Sequence, residues 1–205
     1  MKSHLPILTL ALVLACNSVG DAHAKTSKST TRGITAQLKG TDMSTAEEVV
    51  NGKTYHIGKV IVSASPADVF AVLTDYPNAT QLFANLKKSK VVASNSANHT
   101  HDVSFSLKGL GGIWNFDYVL QMKETSPSLI EFHRLSGAFK ANEGYWKIEP
   151  LDTLGHKTLV TYAKHVDGGM LPQNLVTKQV REAMPTVMAN LKASAEAKAV
   201  QLSLK

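Results

Sequence analysis

One cysteine in 205 residues cannot pair within the chain, so a disulfide-built scaffold is excluded. A long apolar run is also missing. The most hydrophobic stretch, Leu5 to Ala15, has eleven residues and no charge, whereas a bilayer core needs about 20. There is no internal repeat, and no Pro/Gly/Ser-rich linker divides the chain after Gly40. No Ser-His-Asp order, nucleophile elbow or glycine-rich phosphate loop occurs, which removes the commonest hydrolase and nucleotide-binding signatures. What is present is ordinary for a globular protein: 43% hydrophobic residues, too many for a chain disordered throughout. The length suits one domain with a real core. The formal charge of +6 suggests an anionic partner, either nucleic acid or a membrane surface.

The first residues redirect that reading. Lys2 and His4 precede the short apolar stretch, and Ala22-His23-Ala24 follows as a small-x-small cleavage site. This is the layout of a secretory signal, expected over residues 1–24. Val13-Leu14-Ala15-Cys16 offers a rival, a bacterial lipoprotein box that would leave Cys16 as a lipidated first residue. Leu14 is atypical immediately before the Ala-Cys pair, which favours cleavage between Ala24 and Lys25. The expected location is therefore periplasmic or secreted, with lipid anchoring through Cys16 as the alternative. Loss of Lys2 and Asp21 leaves the charge at +6, but export makes nucleic acid an unsuitable partner. Membrane-surface contact takes its place as the expectation. Residues 25–45 begin with the basic, polar Lys25–Arg32 and read as a flexible leader.

Residues 46–205 read as one domain. Gly52 opens a β-branched run through Val62. Ser65-Pro66-Ala67-Asp68 then spells a helix start, with a capping hydroxyl, proline at the first position and a carboxylate in the first turn. This helix stops near Asp75–Asn78, and a second short one is expected from Ala79 to about Phe83. Six strands follow at hairpin spacing, roughly 88–95, 100–107, 113–123, 128–135, 142–149 and 157–165, an antiparallel meander. After Gly168-Gly169 the apolar period becomes 3.6, placing Leu171, Leu175, Val180, Met184, Val187, Met188 and Leu191 on one helix face. Pro185 lies inside that helix and predicts a kink or a split there. The expected fold is α+β, a helix grip: a curved antiparallel sheet of about seven strands wrapped around a long C-terminal helix.

The stretch Val62-Ser-Ala-Ser-Pro-Ala-Asp-Val-Phe-Ala-Val-Leu-Thr-Asp-Tyr-Pro77 resembles the opening of the START-like (SRPBCC) superfamily. More narrowly, it resembles the polyketide cyclase/dehydrase and coenzyme Q-binding branch. Gly144-Tyr-Trp146, Thr158–Tyr162, Leu171-Pro172 and Met184-Pro185 extend the resemblance over about residues 54–195. It implies a cavity between sheet and helix that takes a hydrophobic small molecule such as a lipid, quinone or aromatic compound. A minority of such proteins are enzymes. The exported leader departs from the mitochondrial and ribosome-associated members, so their specific roles do not transfer.

Strand parity supplies candidate ligand contacts. Trp114, Phe116 and Tyr118 share one face of a strand, with Leu120 and Met122; Phe105, Phe132 and Trp146 take the same side of theirs. Met184 and Met188 face them from the helix, and methionine suits a pliable wall. Taken singly, each of these side chains also fits plain core packing. Arg134 shares the parity of Ile130 and Phe132 and would point inward, to meet a ligand headgroup or pair with Glu143 or Asp117. Tyr118 and Tyr162 offer hydroxyls. A cyclase or dehydratase would need an acid or base in the cavity, with Arg134, Tyr118 and Asp117 as the candidates. A third reading is an envelope interaction module using the basic surface. His99-x-His101 has no third ligand nearby and reads as strand-edge histidines, and Glu47-Glu48 as a solvated pair before the first strand. No metal or cofactor is expected.

Overall fold

The computed structural model describes residues 42–109 and 115–203. The signal and most of the leader, and Trp114, lie outside the described residues. Among the described residues there are eight strands: β1 (Met43–Val50), β2 (Lys53–Val62), β3 (Leu86–Asn95), β4 (Thr100–Lys108), β5 (Asn115–Thr125), β6 (Leu129–Gly137), β7 (Ala141–Pro150) and β8 (Thr158–Asp167). They form one antiparallel sheet in the order β1-β2-β8-β7-β6-β5-β4-β3. Helix α1 (Pro66–Leu73) and a 3-10 helix (Tyr76–Gln81) connect β2 to β3, and α2 (Gln173–Ser203) closes the chain. This is the expected helix grip, with one more strand.

The extra strand begins inside the expected leader and contains Glu47 and Glu48. It pairs with β2 along its whole length. Asn51 and Gly52, with φ of 51° and 76°, make the tight connection, the two left-handed residues a two-residue hairpin requires. Glu47 is therefore not a free surface charge: its carboxylate lies 3.2 Å from the ring of the buried His56.

Ser65 caps α1, its hydroxyl oxygen accepting from the Asp68 N–H at 3.1 Å, an arrangement that stabilises a helix by about 1 kcal/mol. Val69 and Leu73 are the buried side of α1. The second short helix starts at Tyr76 rather than Ala79, because Pro77 suits a first-turn position and Asn78 Nδ2 donates to Asp75 at 2.9 Å. α2 runs unbroken through Pro185, contrary to the expected split. Proline removes one donor, but Pro185 is exposed, where water can satisfy the freed carbonyl.

The C-terminal half of α2 is fastened to the sheet. Gly58 on β2 lets it approach closely: a Cβ there would lie 2.8 Å from Met184 Sδ and 2.9 Å from Met188 Cγ. Glu196 accepts from the Ser63 N–H at 2.8 Å, Lys192 donates to the Ile61 carbonyl at 2.8 Å, and Asn190 to that of Leu82 at 3.1 Å. Met188, Leu191 and Ala195 are completely buried beneath these contacts. The N-terminal half is seated differently. Leu175 is 37% exposed, and no buried residue occurs in α2 before Met184. Space is left under it.

Candidate ligand-binding cavity

That space is a cavity of about 400 Å³ between the sheet and the first half of α2, within the range for small-molecule sites. Alternation along four neighbouring strands builds its wall. Phe105 comes from β4, Tyr118 and Leu120 from β5, Phe132 from β6 and Trp146 from β7, all nine-tenths buried or more. Phe83 also lines the cavity and makes T-shaped contacts with Trp146 and Tyr162, at centroid distances of 6.4 and 6.3 Å. Leu171, Val176 and Val180 supply the helix side, and Met184 marks where the open half of α2 meets the packed half.

Of the residues singled out from parity, Phe105, Phe116, Tyr118, Phe132, Trp146 and Met184 line the cavity. Met188 does not: it is fully buried against Gly58, one turn beyond the opening. Trp114 is outside the described residues.

Arg134 has the expected inward parity, opposite Leu120, yet it is not on the cavity wall and meets neither proposed carboxylate. The register of β5 and β6 shifts beside it, leaving Leu135 unpaired, and the guanidinium turns back to donate to the Gly137 carbonyl at 2.9 Å. Glu143 and Asp117 are on the opposite face of the sheet. Glu143 is held there by Lys53 at 2.5 Å and Tyr55 at 2.9 Å, and the Lys53 hydrogen bond keeps its carboxyl below the usual range.

Tyr118 and Tyr162 both line the cavity, and neither hydroxyl has a hydrogen-bond partner among the described residues. Burial raises both far above the ordinary phenol range, so they stay neutral and can donate. Tyr76, by contrast, is spoken for: its hydroxyl donates to Glu124 at 2.6 Å. His101 also belongs to structure, 2.8 Å from the Ser94 hydroxyl and 3.6 Å from Glu124. Among the described residues no group of three or more His, Cys, Asp or Glu is placed to hold a metal ion.

Two wall residues went unnoticed in the sequence. Lys164, on β8, is only partly exposed and lines the cavity; burial lowers its ammonium to about 8. Asn142, on β7, is 1% exposed, also in the wall, and neither its amide nitrogen nor its oxygen has a partner. Parity was the available signal, since Lys164 follows Tyr162 by two positions and Asn142 precedes Trp146 by four.

A sheet gripping one helix, with an aromatic cavity between them, defines a helix-grip protein. The model of the family of polyketide cyclases/dehydrases and lipid-transport proteins matches residues 62–192, and the chain belongs to that family. Solved structures of similar fold include a STAR-related lipid transfer protein from Xanthomonas axonopodis, at 18% identity and TM-score 0.64, covering 76% of this chain and 94% of that one. Human STARD10 aligns at 14% identity and TM-score 0.64, covering 84% and 80%. The Zhui aromatase/cyclase from Streptomyces sp. R1128 aligns at 13% identity and TM-score 0.56, covering 78% and 96%. No curated protein matches the sequence.

Proposed function

We propose that this protein binds and carries a hydrophobic small molecule in the cavity under the N-terminal half of α2. The observation that carries the proposal is the cavity itself: about 400 Å³, walled by aromatic side chains. A core of this kind normally closes to crystal-like packing, and open apolar space lined by aromatics is what a ligand site requires. The family and the lipid-transfer fold relatives support the reading. The start of the chain supports a place of action outside the cytoplasm, where a carrier moves poorly soluble molecules between membranes. A non-catalytic role fits the chemistry better than a cyclase. Of Arg134, Tyr118 and Asp117, only Tyr118 lines the cavity, and burial holds it far from a general base.

Titration with Nile red, a neutral dye that brightens in apolar surroundings, tests this. Ala183 lines the cavity from α2, and Ala183→Phe would place a ring in existing space rather than in packed core. Saturable dye binding, abolished in a folded Ala183→Phe protein, is the expected result. Binding unchanged by the substitution would place the dye elsewhere and contradict the proposal.

A further inference from the structure

Asn85, Lys108, Gln179, Glu182 and Thr186 join the cavity wall from exposed positions; deeper in, tyrosine hydroxyls aside, the polar side chains are Asn142 and Lys164. Asn142 stands opposite Val166 in the β7–β8 register, and Gly144 opposite Lys164. Asn142 and Lys164 are therefore diagonal neighbours on the same face, positions that in an antiparallel pair are spaced about 7–8 Å apart. They lie where β8 runs on from Tyr162 toward the loop into α2.

Both are chemically incomplete. The Asn142 amide is buried with all its hydrogen-bonding capacity unused. Among the described residues the Lys164 ammonium has neither a hydrogen-bond acceptor nor a counter-ion. Nearby carboxylates are committed elsewhere: Glu47 to His56, Glu143 to Lys53 and Tyr55, and Asp167 to Lys140 at 3.2 Å. Glu182 lines the cavity from α2 but is exposed and lies 3.9 Å from Lys178. Buried polar groups are ordinarily paired, and a buried cation more strictly so. Gly144, opposite Lys164 on the same face, adds no side chain beside them, and a Cβ there would come within 2.0 Å of the Ala163 carbonyl oxygen.

We infer that Lys164 and Asn142 form the head-group site of the cavity, and that its ligand is an amphipathic monoanion, a single carboxylate on an apolar body. The ammonium supplies the one counter-charge, the Asn142 amide donates a second hydrogen bond, and the aromatic wall takes the apolar part. Lys108, the other lysine of the wall, is exposed, so at the buried end a single lysine neutralises one negative charge, which disfavours a dianionic head. This inference rests on the cavity being a ligand site and adds the chemistry of what enters it.

The test compares dodecanoate with methyl dodecanoate, which share an apolar chain and differ in charge, by calorimetric titration at pH 7. Lys164→Met keeps most of the side chain's length, removes the charge, and relieves a partly buried, unpaired cation, so the variant should fold. The wild type should bind dodecanoate at least roughly tenfold more tightly than the ester, the worth of a charge-assisted hydrogen bond. Lys164→Met should abolish that preference while still binding the ester, and Asn142→Leu should reduce it. Equal affinity of the wild type for both probes, or a preference that survives in Lys164→Met, would overturn the head-group site while leaving the cavity's function standing. If neither probe binds folded wild type, both the head-group site and the carrier role fall.

Discussion

Trp146 and Tyr162 stack face to face across β7 and β8, ring centroids 3.8 Å apart and planes within 5°. Residues directly opposite in an antiparallel pair stand close enough for this, and the stack adds roughly 0.5–1.5 kcal/mol to the burial of both rings. It also fixes the cavity floor. Phe132 approaches Tyr162 at 6.1 Å and Phe83 makes a T-shaped contact with it at 6.3 Å, so a ligand meets an ordered aromatic surface.

Tyr162→Ala should destabilise the fold by about 3–5 kcal/mol, the usual range for removing a buried large aromatic side chain. Tyr162→Phe should cost far less, because the hydroxyl has no partner among the described residues. Urea denaturation of the three proteins separates the two effects. A Phe variant as unstable as the Ala variant would mean the hydroxyl, not the ring, holds the floor.

Gly144 and Gly58 predict opposite responses to the same substitution. A Cβ at Gly144 would press on the Ala163 backbone and on Phe132 Cζ at 2.7 Å, neither of which yields readily. At Gly58 the obstructing atoms belong to Met184 and Met188, flexible side chains that can turn aside. Gly144→Ala should therefore lower stability by more than about 3 kcal/mol and Gly58→Ala by about 1–2 kcal/mol. Thermal melts of both variants provide the check.

These positions also mark what the sequence made legible. Period-two alternation placed Tyr118, Phe132 and Trp146 on the inner face, and period 3.6 placed Met184, because burial on one side leaves that trace. β1 left little, since MSTAEEVV is mostly exposed and shows no apolar alternation. Its signal was the Asn51-Gly52 turn. Arg134 had the right parity but the wrong destination, because a bulge is a local matter of backbone register that side-chain type does not encode. Lys164 was passed over for a simple reason: a lysine in a strand reads as solvent-facing unless the neighbouring parity is followed through it.

The pH dependence of carboxylate binding follows from Lys164. In the free protein burial lowers its ammonium to about 8. A bound carboxylate favours the charged form and raises it again, so the complex holds this proton more tightly. Affinity is therefore complete below about pH 8 and falls above it, roughly tenfold per pH unit until the raised value is reached. The other groups facing this region are Tyr118 and Tyr162, which burial keeps neutral, and Lys108 and Glu182 on the cavity wall. On β2, opposite Lys164, stands His56, lowered by burial, with Glu47 and Arg181 acting on its charge. Dodecanoate titrations from pH 7 to 10 should show the decline in the wild type and none in Lys164→Met.

The most direct measurement of the central claim is native mass spectrometry of the protein released gently from the cells that make it. The account predicts one non-covalently held small molecule per chain, an apolar acid recoverable by solvent extraction, and absent from Ala183→Phe. Protein that is consistently empty, or that carries the same molecule with the cavity filled by phenylalanine, would contradict it.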